Sequence, residues 1–398
     1  MEYWPVDRNL VERTLLKRLI EMGWLAVREG EEETVYVTRK GWEKLDRFGI
    51  DTSILRGGKK PFPKALLKVV LTAPSIVAVG EPFDLKVEIR GPLGDPFDAY
   101  YSAYSHFSFS TTDSGATLPE DYKYEFKPED RGMRRFSGVR LGTSGVHTIT
   151  VTKSDGPLSG TSNPILCEKA PAYRLYWGDI HFHIRESRSA ANRLKDGPGT
   201  VDEAYTYARD VSALDFCALT DHGSNLSDSE WEDTQRGAAK YYEPGRFVTF
   251  TAYEWDWNLG EPINYGHRCV YCLTDDLPLY RGKSPESDTA PKLWDLLKRS
   301  GKKVIVNPHH AARAGASLNW DFFNPELERL VEIYSIWGSS ERSWEKGNPY
   351  PLVTEWGEAL GRHVQDGLAR GYKFGFTGGT EAHDGRAGNT RILNGEPI

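Results

Sequence analysis

The chain has 398 residues, 39% hydrophobic and 27% charged, which is long enough for two or three domains and ordinary for a globular protein. Its net charge of −7 excludes a broad basic surface, so nucleic acid is not an expected partner, although local arginines suffice for a small phosphate. The N-terminus, MEYWPVDRNL, lacks an apolar h-region and no long apolar run occurs, so neither a secretory signal nor a membrane span is expected.

Three zones follow in chain order. In residues 1–57, Leu15, Leu16, Leu19 and Ile20 recur at helical spacing. GWLAVREGEEETVYVT then reads as two strands around an acidic turn, and RKGWEKLDRF as a short closing helix. This small α+β module, VYVTRKGWEKL above all, resembles part of a winged-helix domain. Its acidic turn would repel phosphate, so a packing or partner-docking role is expected rather than DNA reading. In residues 61–170, FDLKVEIRG, FSFSTT and VHTITVTKS alternate apolar and polar positions between Gly, Pro, Asp and Ser turns. That spacing predicts an immunoglobulin-like antiparallel β-sandwich. His106 and His147 fall on its strands, away from other ligand-type side chains, and are expected to be structural.

Residues 171–398 alternate strand and helix patterns. The strand-like runs are RLYWGDIHFHI, LDFCALTDH, RFVTFTAYE, HRCVYCLT, KKVIVNPHH, LVEIYSI and YKFGFTGGTEAH. Helix-like segments are expected over 200–210, 229–240, 289–300 and 352–370. Seven strands with crossovers predict an α/β barrel. Of the four cysteines, Cys167, Cys217, Cys269 and Cys272, the last two form a CxxC on a predicted strand. Three residues apart on a strand, their thiols point to opposite faces. Core residues in a reducing cytoplasm are therefore expected.

Eight of the ten histidines lie in this third zone. His181 and His183 form an HxH whose period of two turns both imidazoles to one face. Asp221 and His222 end the second strand, Glu254 ends the third, His309 and His310 end the fifth, and Glu381 and His383 lie just past the seventh. In an α/β barrel the C-terminal strand ends form the active-site face, so five strands deliver ligand-type side chains to one mouth. His267 starts its strand, but the 12 residues from Trp255 to Gly266 suit a hairpin return, which brings it to the same place. Imidazole and carboxylate donors suit Zn, Mn or Fe, and the missing thiolate set argues against a structural zinc knot. His363 sits in a helical pattern and is expected to be a surface or packing residue.

WGDIHFHI, LTDH, a strand-ending Glu, GHR before a strand, PHH, and ExH after GFTGG together resemble the successive motifs of the polymerase and histidinol phosphatase (PHP) superfamily. The closest likeness is to the DUF3604-like group, in which a β-sandwich precedes the barrel, and it covers about residues 70–390. The resemblance implies a distorted seven-stranded barrel holding two or three divalent ions. It implies that His181, His183, Glu254 and Glu381 surround one ion. Glu254 would bridge to a second, held also by His267 and by His310 or His309, while His222 and His383 would face a third. Asp179 and Asp221 would orient imidazoles. Two positions depart from the pattern: Glu381 stands where Asp is usual, and Ser189 where a sixth-residue His or Asp is common. Only 15 Gly- and Asn-rich residues follow His383, where such a barrel would carry a closing segment.

The expected activity is metal-dependent hydrolysis of a small anionic phosphate mono- or diester, with Glu254 bridging and His222 or Asp221 managing the leaving-group proton. Arg185, Arg188, Arg268, Arg313 and Arg386 flank the motifs and are candidates to bind phosphate oxygens, a rim salt bridge being the alternative for each. Trp255, Trp257, Trp320 and Trp337 are either pocket walls or, more simply, core. The same ligand set serves amide, lactone or other carbon-centred hydrolysis. A non-catalytic metal-containing binding protein is the reading from another class. Oligomeric state is open.

Overall fold

Gly, Pro and Asp interrupt the apolar runs so often that the strands stay short, from two to eight residues. The structure is a computed structural model. It describes residues 25–28, 34–37, 68–90, 107–119, 133–153, 158–184, 199–256, 264–273, 276–352, 357–383 and 385–388. The chain divides into two units, Met1–Leu175 and Tyr176–Ile398.

In the first unit β1 (Leu25–Arg28) and β2 (Thr34–Val37) pair antiparallel, from Leu25 opposite Val37 to Arg28 opposite Thr34. The helices expected on either side of this ladder lie outside the described residues. Nine further strands follow: β3 (Lys68–Thr72), β4 (Ile76–Ala78), β5 (Phe83–Arg90), β6 (Phe107–Thr111), β7 (Met133–Val139), β8 (Gly145–His147), β9 (Ile149–Lys153), β10 (Ser159–Thr161) and β11 (Ile165–Glu168). On β5 every second residue, Phe83, Leu85, Val87 and Ile89, is buried, as a half-buried strand requires. These residues join Phe107, Val139, Ile149, Val151 and Ile165 in one core. In place of two aligned sheets there are three small ones, β3-β5-β7, β10-β9-β6 and β4-β11-β8, and the β4–β11 pair is parallel. His147 is structural: Nε2 lies 3.0 Å from the Thr143 carbonyl oxygen and Nδ1 3.4 Å from Thr112 Oγ1. His106 lies outside the described residues.

The second unit contains β12 (Gly178–Phe182), β13 (Phe216–Leu219), β14 (Val248–Thr249), β15 (Thr251–Trp255), β16 (Arg268–Cys272), β17 (Val304–Pro308), β18 (Leu330–Ser335), β19 (Gly338–Ser339) and β20 (Gly375–Gly378). Four α-helices are present among the described residues: α1 (Val201–Thr206), α2 (Asp228–Tyr241), α3 (Ala290–Arg299) and α4 (Val364–Ala369). Capping boxes at Thr200/Glu203 and Ser227/Glu230 start α1 and α2, and Thr289 caps α3. The α2 stripe Trp231, Thr234, Ala238 and Tyr241 and the α3 stripe Ala290, Leu293 and Leu297 are buried at helical spacing. α1 continues as a π-helical turn, Tyr207–Val211.

The predicted distorted seven-stranded α/β barrel is not what forms. The strands make three separate three-stranded sheets, β12-β13-β14, β15-β16-β17 and β19-β18-β20, with no closed barrel among the described residues. The reasons are local. β12 and β13 lose register between Asp179 and Phe182, and β13 and β14 pair at only two positions, Phe216 with Val248 and Cys217 with Thr249. The return from β15 to β16 is too short for a crossover helix, so these strands run antiparallel, as do β16 and β17. Of the helix predicted over 352–370, the described residues form only α4. Single bridges, His222 with Glu254 and Phe182 with Ala382, take the place of ladders between sheets.

Cys269 packs with Ala218, Ala252 and Tyr271, whereas Cys272 packs with Val270 and Leu277, so the two thiols do face opposite sides of β16. All four cysteines are buried, and none is in a disulfide. No helix among the described residues is long and apolar enough to cross a membrane.

Candidate metal centre

Glu254 is the fixed point of the site. On β15, Tyr253 and Trp255 point into a hydrophobic cluster, so period two sends Ala252 and Glu254 to the other face. There the Glu254 carboxylate is fully buried. Its Oε1 lies 2.7 Å from His267 Nδ1 and 3.0 Å from His309 Nε2. Its Oε2 lies 3.4 Å from His183 Nε2, 3.5 Å from His222 Nδ1 and 3.7 Å from His181 Nε2. Five imidazoles from four segments thus converge on one carboxylate.

Each arrives for a local reason. β12 carries His181, and His183 follows it on the same face, while Phe182 between them fills an apolar cluster with Val201, Ala204 and Leu219. Asp221, just past β13, accepts the Ile184 amide at 2.7 Å and so holds the backbone after His183. Asp179 accepts the amides of His181 and Thr380 at 3.2 Å and of Gly388 at 2.8 Å. Both aspartates thus hold the backbone that carries His181 and His183. The antiparallel return places Cys269 opposite Glu254 and brings His267 alongside. His309 and His310 follow β17, and their rings lie 4.2 Å apart.

The segment after β20 closes the cluster. Ala382 bridges Phe182, the Glu381 amide donates to the His181 carbonyl at 2.7 Å, and the His183 amide donates to the Ala382 carbonyl at 2.7 Å. His383 thereby sits 4.9 Å from the His183 ring, and His222 stacks on the other side at 5.0 Å in a near-parallel arrangement. Glu381 accepts from Trp337 Nε1 and Ser335 Oγ, each at 2.6 Å, and lies 3.7 Å from His310 Nε2. His310 and Glu381 both have positive φ, 32° and 46°, a conformation that costs non-glycine residues energy and clusters at functional sites.

Glu332, Cys269 and Asp256 also belong to the site, and sequence reasoning missed all three. Glu332, fully buried on β18, stands 3.0 and 3.1 Å from His181 Nδ1. Gly379 leaves it room, since a Cβ there would meet Glu332 Oε2 and His181 Cβ. Cys269 Sγ is 3.7 Å from His309 Nδ1, and Asp256 Oδ2 is 3.5 Å from His222 Nδ1. A carboxylate in the middle of the apolar run LVEIYSI was the available signal for Glu332. That signal is weak, because Glu332 does not end its strand.

Burial and mutual charge set the protonation states. Burial alone would raise Glu254, but the surrounding imidazoles, His222 and His309 foremost, hold it well below the usual carboxylate range. Burial, with Glu381 and Asp179 nearby, pushes Glu332 up to about 7 despite His181. Burial and the neighbouring His181 lower His309 to about 4. Burial lowers His310 well below an ordinary histidine, and His309, His267 and Arg313 act in the same direction.

This donor set fits a metal ion. His181 Nε2 and Glu254 Oε2 are buried with no hydrogen-bond partner, a costly state unless an ion takes both. At metal–ligand distances near 2.1 Å, ligand atoms on one ion lie roughly 3.0–3.5 Å apart, close to the spacings around Oε2. His181–His183–Glu254, Glu254–His267–His309–His310, His181–Glu332–Glu381 and His181–Cys269–His309 each bring their ligand atoms within 4.8 Å of one another. These buried groups can hold a metal ion.

Other candidates fall elsewhere. Arg268 is fully buried and its guanidinium is consumed by Glu328 at 2.5 Å, Phe322 O at 2.9 Å, Gly266 O at 3.0 Å and Tyr265 O. It is a packing residue, not a phosphate ligand. Arg313 is half-buried, with its guanidinium 4.7 Å from the centre of the Trp337 ring. Arg185, Arg188, Ser189 and Trp257 lie outside the described residues. Trp255 and Trp320 are core, their indole N–H groups donating to Ser287 O and Arg362 O, so of the described tryptophan candidates only Trp337 lines the site. His363 caps α4 and packs there.

Residues 210–318 match the family model described as "Protein of unknown function (DUF3604)", a span that includes Asp221, His222, Glu254, His267, His309 and His310. An uncharacterized protein of Chlamydia trachomatis serovar D is 25% identical over 350 residues, 87% of this chain and 52% of that protein. One from Chlamydia muridarum is 25% identical over 350 residues, 86% of this chain and 51% of that protein. The chain spans about half the length of the curated relatives it matches. Among solved structures, PsfC from Pseudomonas syringae PB-5123 aligns with a TM-score of 0.31 and 16% identity, over 52% of this chain and 76% of that one. The wider PHP likeness rests on the motifs alone.

Proposed function

We propose that the chain is a metal-dependent hydrolase of small anionic esters, phosphate esters first. The observation that carries the reading is the fully buried Glu254 with five imidazole nitrogens 2.7–3.7 Å from its two oxygens. The order of PHP-like motifs supports it. Two ion positions sharing Glu254 are proposed: one among His181, His183 and Glu254, the other among Glu254, His267, His309 and His310. Nitrogen and oxygen donors of this kind favour Zn, Mn or Fe.

When bound, such ions polarise a phosphoryl or carbonyl oxygen and make water acidic near neutral pH. The chain's own residues do the rest. Glu332 accepts the Nδ1 proton of His181 and so presents Nε2 as a ligand. His222 is the half-buried member of the Glu254 set, and its Nδ1 faces Asp256 as well as Glu254. In this reading it passes a proton between the cluster and the leaving group. Trp337 and Ser335 fix both oxygens of Glu381.

The test is metal analysis of protein purified without chelator and supplemented with Zn or Mn, followed by assays on phosphate mono- and diesters beside amides and lactones. At least one equivalent of transition metal and phosphoesterase turnover are expected. Less than one equivalent sinks the reading. Turnover confined to amides or lactones replaces the substrate class and leaves the centre standing.

A further inference from the structure

Arg313 combines three features that a merely solvated arginine lacks. Its backbone is held on both sides: its amide donates to the His310 carbonyl at 2.8 Å, it bridges Glu358, and the flanking Ala312 and Ala314 exchange hydrogen bonds with Ala359 and Gly357. Its guanidinium carbon sits over the Trp337 ring, 4.7 Å from the ring centre, and Trp337 in turn donates to Glu381 and lies 5.5 Å from the His383 ring. Finally, among the described residues no carboxylate pairs with it, and its Nε is buried without a hydrogen-bond partner. Glu358, its bridge partner, instead accepts the Trp344 amide at 3.1 Å and lies 3.8 Å from His363 Nε2.

A fixed positive charge left unneutralised at the edge of a histidine and carboxylate cluster needs an anion from outside. A cation–π contact with an indole face restrains a guanidinium while its planar fork of N–H groups can still engage two oxygens at once. We propose that Arg313, seated on Trp337, is the oxyanion-binding element of the site, recognising a phosphoryl group presented to the Glu254 cluster. This rests on the hydrolase reading for its substrate, but not for its binding.

The experiment titrates inorganic phosphate calorimetrically into the metal-loaded wild type, Arg313→Lys and Arg313→Gln, with metal content measured on every sample. Loss of a charge-assisted, two-pronged contact should weaken phosphate binding about tenfold or more in Arg313→Gln. Arg313→Lys, which keeps the charge and loses the planar fork, should fall between. It also carries the comparison if Arg313→Gln does not load metal. Phosphate binding equal to wild type in a fully loaded variant overturns the inference, as does a loaded wild type that binds no phosphate. Arg313-dependent phosphate binding without turnover of any ester leaves this inference standing and sinks the hydrolase reading instead.

Discussion

Asp113 in the first unit and Glu254 in the second are both buried carboxylates held below their ordinary pKa, yet they are built in opposite ways. Asp113 is 2% exposed and accepts four donors: the amides of Gly115 at 2.9 Å, Gly142 at 2.6 Å and Thr143 at 3.1 Å, and the Thr143 hydroxyl at 2.7 Å. Its demands are met by backbone that has nowhere else to go. Among the described residues Glu254 has no backbone donor; its neighbours are imidazoles, and three of them stand beyond good hydrogen-bond range of Oε2. A carboxylate satisfied by amides closes a turn. One surrounded by imidazoles at ligand spacing is arranged for something placed between them.

The sharpest way to break this contrast is to remove what Glu254 is arranged for. Glu254→Gln, or exhaustive chelation of the wild type, is expected to abolish turnover and metal content together. The loss should exceed the roughly 10–100-fold that deleting an outer partner costs. Metal analysis and hydrolase assays on the same samples check it, and a variant that keeps its full metal content would remove Glu254 from the centre. Glu332→Gln comes next. It leaves the ligand atoms in place but takes away the full carboxylate that accepts from His181 Nδ1, so metal affinity should fall about 10–100-fold. Competition with a chromogenic chelator reads this directly. Gly379→Ala, whose Cβ would press on Glu332 Oε2 and His181 Cβ, should reproduce the Glu332→Gln phenotype with the carboxylate still present.

The same contrast explains what the sequence could tell. Ligand-type residues at strand ends, namely His181 with His183, His222, Glu254, and His309 with His310, were legible because two-residue periodicity and strand position are local properties. Glu332 and Cys269 were not. Their importance lies in which strands become neighbours, and a carboxylate or thiol inside an apolar run looks the same whether it meets a histidine or the core. The closure of the sheet was misjudged for a related reason. Seven apolar runs with helical intervals predict a barrel, and the short Trp255–Gly266 return was legible as a hairpin, but the register loss at Asp179–Phe182 is decided by tertiary packing. Arg268 failed similarly: a guanidinium beside a ligand motif gives no sign in sequence of whether Glu328 and three carbonyls will enclose it.

In the first unit the effects should be on stability alone. Asp113→Ala strands the Gly115, Gly142 and Thr143 donors, and an expected loss of about 2–3 kcal/mol follows from leaving partly buried groups without their acceptor. Metal content and turnover should not change; a loss of metal in this variant would end the separation drawn between the two carboxylates.

The smallest effect is a pH dependence of that same contribution. Burial acts to raise the Asp113 pKa, but the Thr143 hydroxyl and the amides of Gly115, Thr143 and Gly142 bring it down to about 2 from an ordinary 3.8. Because the folded pKa is depressed, the carboxylate's contribution is complete above about pH 4 and is lost as pH falls through about 2. At 1.36 kcal/mol per unit the displacement is worth at most about 2 kcal/mol, less where water reaches the turn. Denaturant unfolding of wild type and Asp113→Asn between pH 2 and 6 should show a gap that is constant above pH 4 and closes towards pH 2. A gap that closed instead between pH 5 and 7 would mean that a histidine, not the amide cage around Asp113, sets this contribution.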